Sequence, residues 1–172
     1  MLNAFRSSLC GGSIYRFSKQ IKEAWDSINS IETLLGFSGR DKFAREAWEF
    51  EKAELFRQNS LYDEAKASYN VISNSPSKLH RCHGALGMAE LERSRGNREK
   101  AIDLSRTARK DYHRMGCRWG ECNAILTLVL SGDISLSEGQ ITANKTEYNF
   151  PGNGLESLLF GHNSEKRQLN LP

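Results

Sequence analysis

Apolar and small residues recur at helical spacing along most of this chain, and a longer period is superimposed on that pattern. Charged helical stretches end at turn residues that lie thirty-six positions apart, namely Ser60, Gly96 and Gly132. Upstream of the turns, small or apolar residues recur at the same interval: Ala53, Ala89 and Ile125 in one register, and Leu55, Leu91 and Thr127 in another. A helical pattern with this repeat predicts helix-turn-helix hairpins stacked in series.

The residues at the turns and just after them favour the same interpretation. A turn between helices often needs a left-handed backbone conformation, which Gly adopts without steric cost and which Asn or Asp tolerates. The turns read "RGN" at 95–97, "SGD" at 131–133 and, less well, "QNS" at 58–60. Acidic residues then open the next helix, where they complement its positive end: Asp63, Glu64 and Glu99.

The stretch "LGMAELERSRGNREKAIDLSRTA", residues 86–108, resembles a tetratricopeptide repeat, which has a small residue midway along its first helix, a glycine at the turn and an alanine early in its second helix. Ala89, Gly96, Ala101 and Ala108 occupy those places. Residues 52–76 resemble a second copy, with Ser60 in place of the glycine. Residues 117–134 resemble a first helix and turn only, and residues 9–36 resemble an early copy.

Two charged residues depart from the pattern of this family. Lys52 and Glu92 stand where the family usually buries an apolar side chain. From Ser135 onward the sequence shows no second-helix pattern and includes a Pro-Gly turn at 151–152. The repeat array is therefore expected to end near residue 134.

The resemblance implies an all-α fold, a right-handed α-solenoid of three to four antiparallel helical hairpins. The expected array covers residues 1–134, with hairpins at roughly 3–37, 43–75, 79–113 and 117–134. Residues 135–172 are expected to form a C-terminal capping or partly disordered tail. Within that tail, an apolar set at 155–160 is expected to cap the last hairpin, with a docking motif as the alternative.

Such arrays usually bind extended peptides or partner helices in the groove lined by the first helix of each hairpin. The resemblance therefore implies a non-enzymatic protein-protein interaction module, an adaptor or regulatory subunit that works within a larger complex. The residues expected to line the groove are Phe50, Glu51, Glu54, Arg57, His83, Leu86, Glu90, Arg93, Trp119, Asn123 and Leu126. For each charged member, the alternative is an ordinary solvated helix surface.

RNA binding is the alternative function that the charge pattern leaves open. The chain has 24 basic and 21 acidic residues, so its net charge of +3 does not by itself indicate a nucleic-acid partner. However, basic residues concentrate between residues 93 and 118, and helical repeats can bind phosphates on such a surface. Glu99 and Asp103 interleave with these cations, which favours a solvated surface instead.

The sequence offers little to suggest catalysis or a metal site. "LHRCHG" brings His80, Cys82 and His83 together, but no CxxC pair accompanies them and no nucleophile-activating motif surrounds the cysteines. The glycines of "CGGS" at 10–13 lack the Lys-Ser/Thr of a phosphate-binding loop. We therefore expect no enzymatic activity, no cofactor, no bound metal and reduced cysteines.

The apolar runs and the amino terminus bear on localisation. The longest apolar run, Ala124–Leu130, is far shorter than the roughly 20 residues that span a bilayer. A cytoplasmic location is expected. Residues 1–22 are rich in serine and contain Arg6, Arg16, Lys19 and Lys22 but no acid, which leaves organellar import as an alternative.

Overall fold

The computed structural model describes residues 21–38 and 42–146, and this part of the chain is entirely helical. The helices are α1 (Ile21–Ser38), α2 (Lys42–Gln58), α3 (Tyr62–Ser73), α4 (Lys78–Ser94), α5 (Arg98–Arg114), α6 (Arg118–Leu130) and α7 (Leu136–Asn144). The prediction of an all-α fold is confirmed. The first helix expected in the hairpin at 3–37, and the apolar set at 155–160, lie outside the described residues.

The helices pack in chain order, with additional contacts between alternate helices. Each helix packs against the next one, and α2 also packs against α4, as α4 does against α6. The buried apolar residues divide into clusters along the chain: one between α1 and α2, one joining α2, α3 and α4, one joining α4, α5 and α6, and one between α6 and α7. The apolar core of the described helices is thus serial, as expected for stacked hairpins.

Left-handed residues end α2, α4, α5 and α6. These residues are Ser60, Gly96, Gly116 and Gly132, with φ values of 61°, 83°, 65° and 69°. In each case the next N–H donates to the carbonyl five residues earlier, as Asn97 N does to Glu92 O at 2.9 Å. This bond is the signature of the Schellman motif. The sequence predicted the turns at 60, 96 and 132, whereas it did not predict the same motif at Gly116.

We expect Ser60→Gly to stabilise the protein, because Ser60 holds a left-handed conformation that costs a residue with a Cβ about 1–2 kcal/mol. Glycine loses more backbone entropy on folding, so the net gain should be roughly 0.5–1 kcal/mol. The matched control is Gly96→Ala, which adds a Cβ to a left-handed residue in open space. It should lower the unfolding free energy by about 1 kcal/mol in urea titrations. Equal stability of wild type and Ser60→Gly would contradict the strain at this turn.

Three glycines allow neighbouring helices to approach closely. A Cβ added at Gly87 would lie 2.2 Å from the Tyr69 ring, and one added at Gly120 would lie 2.2 Å from the Tyr112 ring. At Gly84 the added atom would lie 2.7 Å from the backbone nitrogen of Ser73. These glycines are therefore required by helix packing. They place α4 against α3, and α6 against α5.

The two charged residues at expected apolar positions are accommodated differently. Glu92 is only 2% exposed, and it accepts hydrogen bonds from Lys100 Nζ at 2.5 Å and Asn97 Nδ2 at 2.7 Å. These bonds hold the pKa of Glu92 below its usual value. The Lys52 ammonium lies over the Trp48 ring, 4.5 Å from its centroid, so its charge faces an aromatic surface.

Helix α7 follows Gly132, where the sequence pattern showed no second helix. Ser135 caps α7, and its side chain and that of Glu138 form a capping box. Ala143 is fully buried against Cys122, Ile125 and Leu126 of α6. The spacing Ser135-x-x-Glu138 was the available signal, but Gly139 and the lack of an early alanine obscured the helix.

Within the described ranges, each helix is too short or too polar to cross a membrane.

Candidate functional site

Three rings form a continuous row across α2, α4 and α6, the helices that precede the turns at 60, 96 and 132. The Phe50 and His83 ring centroids are 5.9 Å apart, and those of His83 and Trp119 are 5.8 Å apart. We call Phe50, His83 and Trp119 the aromatic row. Phe50 and His83 are half-buried, whereas Trp119 is 48% exposed. The row therefore ends in a large ring that is open to solvent.

Two buried tyrosines support the row from the second helices. The Tyr69 ring of α3 lies 6.4 Å from Phe50, and the Tyr112 ring of α5 lies 5.8 Å from His83. Both tyrosines are fully buried, and glycines of the following first helix pack directly on their rings. The position of the row thus depends on the close packing between the helices.

His83 is held as a neutral ring. Burial, and secondarily the neighbouring His80, lowers the pKa of His83 from 6.5 to about 4. Its Nε2 atom is buried and has no hydrogen-bond partner. The stacked ring of His80, 6.1 Å away, directs its Nδ1 to the buried carboxylate of Glu46 on α2. At neutral pH the centre of the aromatic row therefore carries no charge.

We expect the buried state of His83 to make stability depend on pH. Its folded pKa of about 4 lies below the unfolded value of 6.5, so the unfolded chain binds a proton more readily in that interval. The contribution is fully present above pH 6.5 and is lost as the pH falls towards 4. After a discount for partial exposure it should be on the order of 2 kcal/mol. Urea titrations at several pH values would measure it.

The variant His83→Phe should flatten this part of the pH profile, because phenylalanine keeps a ring but cannot bind a proton. The control is His113→Phe, which removes an imidazole that is 75% exposed and whose Nδ1 lies 3.0 Å from Glu121 Oε2, so it tests a surface pair and not a buried ring. The fall in stability between pH 6.5 and 4 should persist in this control. If the unfolding free energy of His83→Phe falls as steeply as that of the wild type between pH 6.5 and 4, the pH dependence does not come from His83.

Glu54 and Arg57 lie on the same side of α2 but are mostly covered. Glu54 accepts hydrogen bonds from the Tyr69 hydroxyl and from Arg57 Nη2, the latter at 2.7 Å. Burial, and then the nearby Glu54 carboxylate, raises the pKa of Tyr69 well above its usual value, so the hydroxyl remains a donor. Arg57 Nη1 also reaches Ser94 Oγ of α4 at 3.4 Å. The groove was predicted to include these two residues, and the structure uses them to join α2, α3 and α4.

Glu90 connects α4 to α6 while staying near the surface. Arg93 Nη2 lies 3.0 Å from Glu90 Oε2, and the Thr127 hydroxyl of α6 donates to Glu90 Oε1 at 2.6 Å. The Glu90 and Arg93 side chains are 19% and 28% exposed. Both residues were predicted from the sequence, whereas Thr127 was not recognised as their partner. Its thirty-six-residue register with Leu91 indicated a buried position but gave no sign of the hydrogen bond to Glu90.

The other residues expected in the groove are placed unevenly. Leu86 and Leu126 are buried, at 9% and 7% exposure. Glu51 is half-buried, and the Asn123 amide donates to the Trp119 carbonyl at 3.0 Å. The structure therefore brings Phe50, His83 and Trp119 into contact, surrounds them with paired charges, and leaves Leu86 and Leu126 to packing.

The basic side chains between residues 93 and 118 are mostly bound to acidic groups. The ion pairs are Arg93 with Glu90, Arg95 with Asp63, Lys100 with Glu92, Arg106 with Asp133, Arg109 with Glu121, and Arg114 with Asp111. Arg98 donates to the Gly132 carbonyl at 2.5 Å. The pairs of Arg95 and Arg106 join consecutive hairpins. Much of this charge is thus neutralised within the fold.

The cysteines and histidines do not assemble into a metal centre in the part of the chain that the structure describes. No group of three or more His, Cys, Asp or Glu side chains there could hold a metal ion. Cys82, Cys117 and Cys122 are free thiols. Burial raises the pKa values of Cys82 and Cys122, which disfavours the reactive thiolate at both positions.

Comparisons with protein-family models, with curated proteins and with solved structures yield no match to this chain.

Proposed function

We propose that this chain is a non-enzymatic protein-protein interaction module of the tetratricopeptide type, which binds a peptide or partner helix on the face formed by α2, α4 and α6. In this proposal the hairpins form a right-handed solenoid, and the module serves as an adaptor or regulatory subunit in a larger complex. The observation that carries the proposal is the aromatic row, which ends in the half-exposed ring of Trp119.

The energetics of protein interfaces support this use of the row. Tryptophan and tyrosine are enriched among the few interface residues that contribute most of the binding free energy, especially where they rest in well-packed surroundings. Trp119 offers such a ring, because it is 48% exposed and contacts the His83 ring edge-on.

The ion pairs of the basic stretch favour protein binding over the RNA alternative. A phosphate-binding surface needs cations that are free to release their counterions to the nucleic acid. Here Arg95, Lys100 and Arg106 already bind carboxylates of the same chain. RNA would have to displace these partners, so the basic stretch offers less binding free energy than its charge suggests.

The proposal is tested by affinity capture from cell extract with the tagged full chain. Trp119→Ala is compared with Ile141→Ala, which removes an apolar side chain of similar exposure, 57%, from α7. We expect a protein that is retained by wild type and by Ile141→Ala, is lost with Trp119→Ala, and is unaffected by nuclease. Loss of an interface anchor of this kind typically weakens binding by about 2 kcal/mol, or roughly thirtyfold.

Two results would contradict the proposed function. Recovery of RNA, or of proteins that disappear after nuclease treatment, would favour the basic stretch. Equal capture by wild type and Trp119→Ala would remove the aromatic row as the binding site. Thermal melting of both variants, followed by circular dichroism, would show that each one is folded.

A further inference from the structure

One side of α6 exposes large apolar side chains, and we infer that residues 155–160 of this chain pack against that side at Trp119. These residues, which we call the C-terminal segment, read "LESLLF" and include four apolar residues and one acid. They lie outside the described residues. The register of the sequence and the position at which the described chain ends both select this segment as the occupant.

The exposed apolar stripe runs along most of α6. Trp119, Asn123 and Leu130 lie on one side of this helix, because separations of four and eleven residues are close to whole helical turns. Trp119 is 48% exposed and Leu130 is 39% exposed. Removing apolar surface from water is favourable roughly in proportion to its area. An apolar segment that covered this stripe would therefore stabilise the last hairpins.

The thirty-six-residue register places the C-terminal segment at this stripe. His83 of α4 contacts Trp119, which is thirty-six positions later, and their ring centroids are 5.8 Å apart. Thirty-six positions after Trp119 the sequence has Leu155. In the same register Leu158 corresponds to Cys122, which is buried. A segment that packs on α6 as α6 packs on α4 brings Leu155 against the Trp119 ring.

The described chain also ends close to the stripe. Thr146 contacts Cys122 of α6, with its Oγ1 3.2 Å from the Cys122 Sγ, and Cys122 is three residues from Trp119. Eight residues separate Thr146 from Leu155, and eight residues span about 26–29 Å when fully extended. Packed helices are only about 8–10 Å apart, so the C-terminal segment is able to reach the stripe.

This contact has a consequence for partner binding. A ring that the C-terminal segment covers is not open to a second apolar surface, so the segment competes with a partner that uses Trp119. The apparent affinity of the partner then falls with the fraction of molecules in which the ring is covered. The contact within the chain is independent of the proposed function, whereas the competition rests on it.

The contact is tested in the full chain labelled with ¹⁵N-tryptophan, through the indole N–H signals. The test variant carries Leu155→Glu and Leu158→Glu, which place two charges in the contact. The matched control carries Leu169→Glu and Leu171→Glu, the same changes outside the C-terminal segment. Trp119→Phe identifies the Trp119 signal.

We expect the Trp119 signal to shift in the test variant and to be broadened more strongly by a soluble nitroxide, because the ring becomes exposed. The Trp48 signal should stay in place, since its N–H is buried and donates to the Ile28 carbonyl at 3.0 Å, and this would also show that the variant is folded. The control should match the wild type. The wild-type signal should not depend on protein concentration, as a contact within one chain requires.

Three results would overturn the contact. The first is the same Trp119 signal in the wild type and in the test variant. The second is a wild-type signal that moves to the position of the test variant on dilution, which would assign the stripe to a second copy of the chain. The third is an equal shift in the control, which would remove the register as the basis of the contact.

The competition is measured by capture from cell extract. The test variant should retain more of the protein that the wild type captures through Trp119, whereas the control should retain as much as the wild type. Equal or weaker retention by the test variant would overturn the competition. Failure of the proposed function would appear differently, as equal capture by wild type and Trp119→Ala, and it would leave the tryptophan signals unaffected.

Discussion

Replacing Ala89 by arginine is expected to abolish cooperative folding of the described helices. Ala89 is completely buried in the cluster that joins α4, α5 and α6, beside Ala108 and Tyr112. An arginine there would place a long side chain in a fully packed contact and a charge in a site without a counter-ion. Overpacking alone costs about 1–3 kcal/mol and an unpaired buried charge costs several more, which together approach the total stability of a typical domain.

The matched control for this experiment is Ala67→Arg, the same substitution at an exposed position of α3. It should change the unfolding free energy by no more than about 0.5 kcal/mol. Thermal melting followed by circular dichroism, together with urea titration, would compare the two variants. If Ala89→Arg melts like the wild type, the close helix packing at Ala89 is contradicted, and with it the interpretation of the thirty-six-residue register as stacked hairpins.

The second large effect is expected for Glu54→Ala, which should lower the unfolding free energy by about 3–5 kcal/mol. Removing one partner of a buried ion pair leaves the other charge poorly compensated. The Arg57 side chain is only 16% exposed, its contact with Ser94 is long at 3.4 Å, and the Glu90 carboxylate that also acts on its charge is already bound by Arg93. The Tyr69 hydroxyl, which is buried, would lose its acceptor as well. Urea titration of the full chain would measure the loss.

A double substitution separates the ion pair from ordinary packing. In Glu54→Ala with Arg57→Met, no charge is left unpaired, so the loss should be clearly smaller than the sum of the two single losses. Strictly additive losses would show that the pair contributes only through shape. A large loss of stability for Glu54→Ala would also show that Glu54 is unsuitable for testing partner binding, because its replacement destabilises the fold itself.

The candidate site and the connections between hairpins share residues. Glu54 and Arg57 connect α2 to α3 and α4, and Glu90 connects α4 to α6, while the aromatic row crosses the same three first helices. A partner that packs on Trp119 and His83 would therefore contact a face whose parts are already fixed by hydrogen bonds. Such preorganisation reduces the ordering entropy lost on binding.

Local sequence was sufficient to predict the helices and most of their ends. The predicted turns at Ser60, Gly96 and Gly132 all have positive φ, because left-handed conformations depend on a single residue and its immediate neighbours. Asp63, Glu64 and Glu99 open their helices for a similarly local reason. The expectation that no second helix follows residue 134 was wrong. At α7, a capping box at Ser135 and packing against α6 outweigh the low helix propensity of Gly139.

The sequence by itself thus determined the all-helical class of the described residues and the left-handed turns at Ser60, Gly96 and Gly132, because these depend on residues within a few positions of each other. The thirty-six-residue period is likewise visible in the sequence alone. The tertiary structure decided which polar side chains form bonds between helices and which face solvent. Spacing on α2 places Glu54 and Phe50 on the same side, but only contacts with Tyr69, 15 positions from Glu54, and with His83, 33 positions from Phe50, bury Glu54 and align Phe50 in a row. The energy of a charge or ring depends on what surrounds it in space, and helical periodicity cannot specify those distant neighbours.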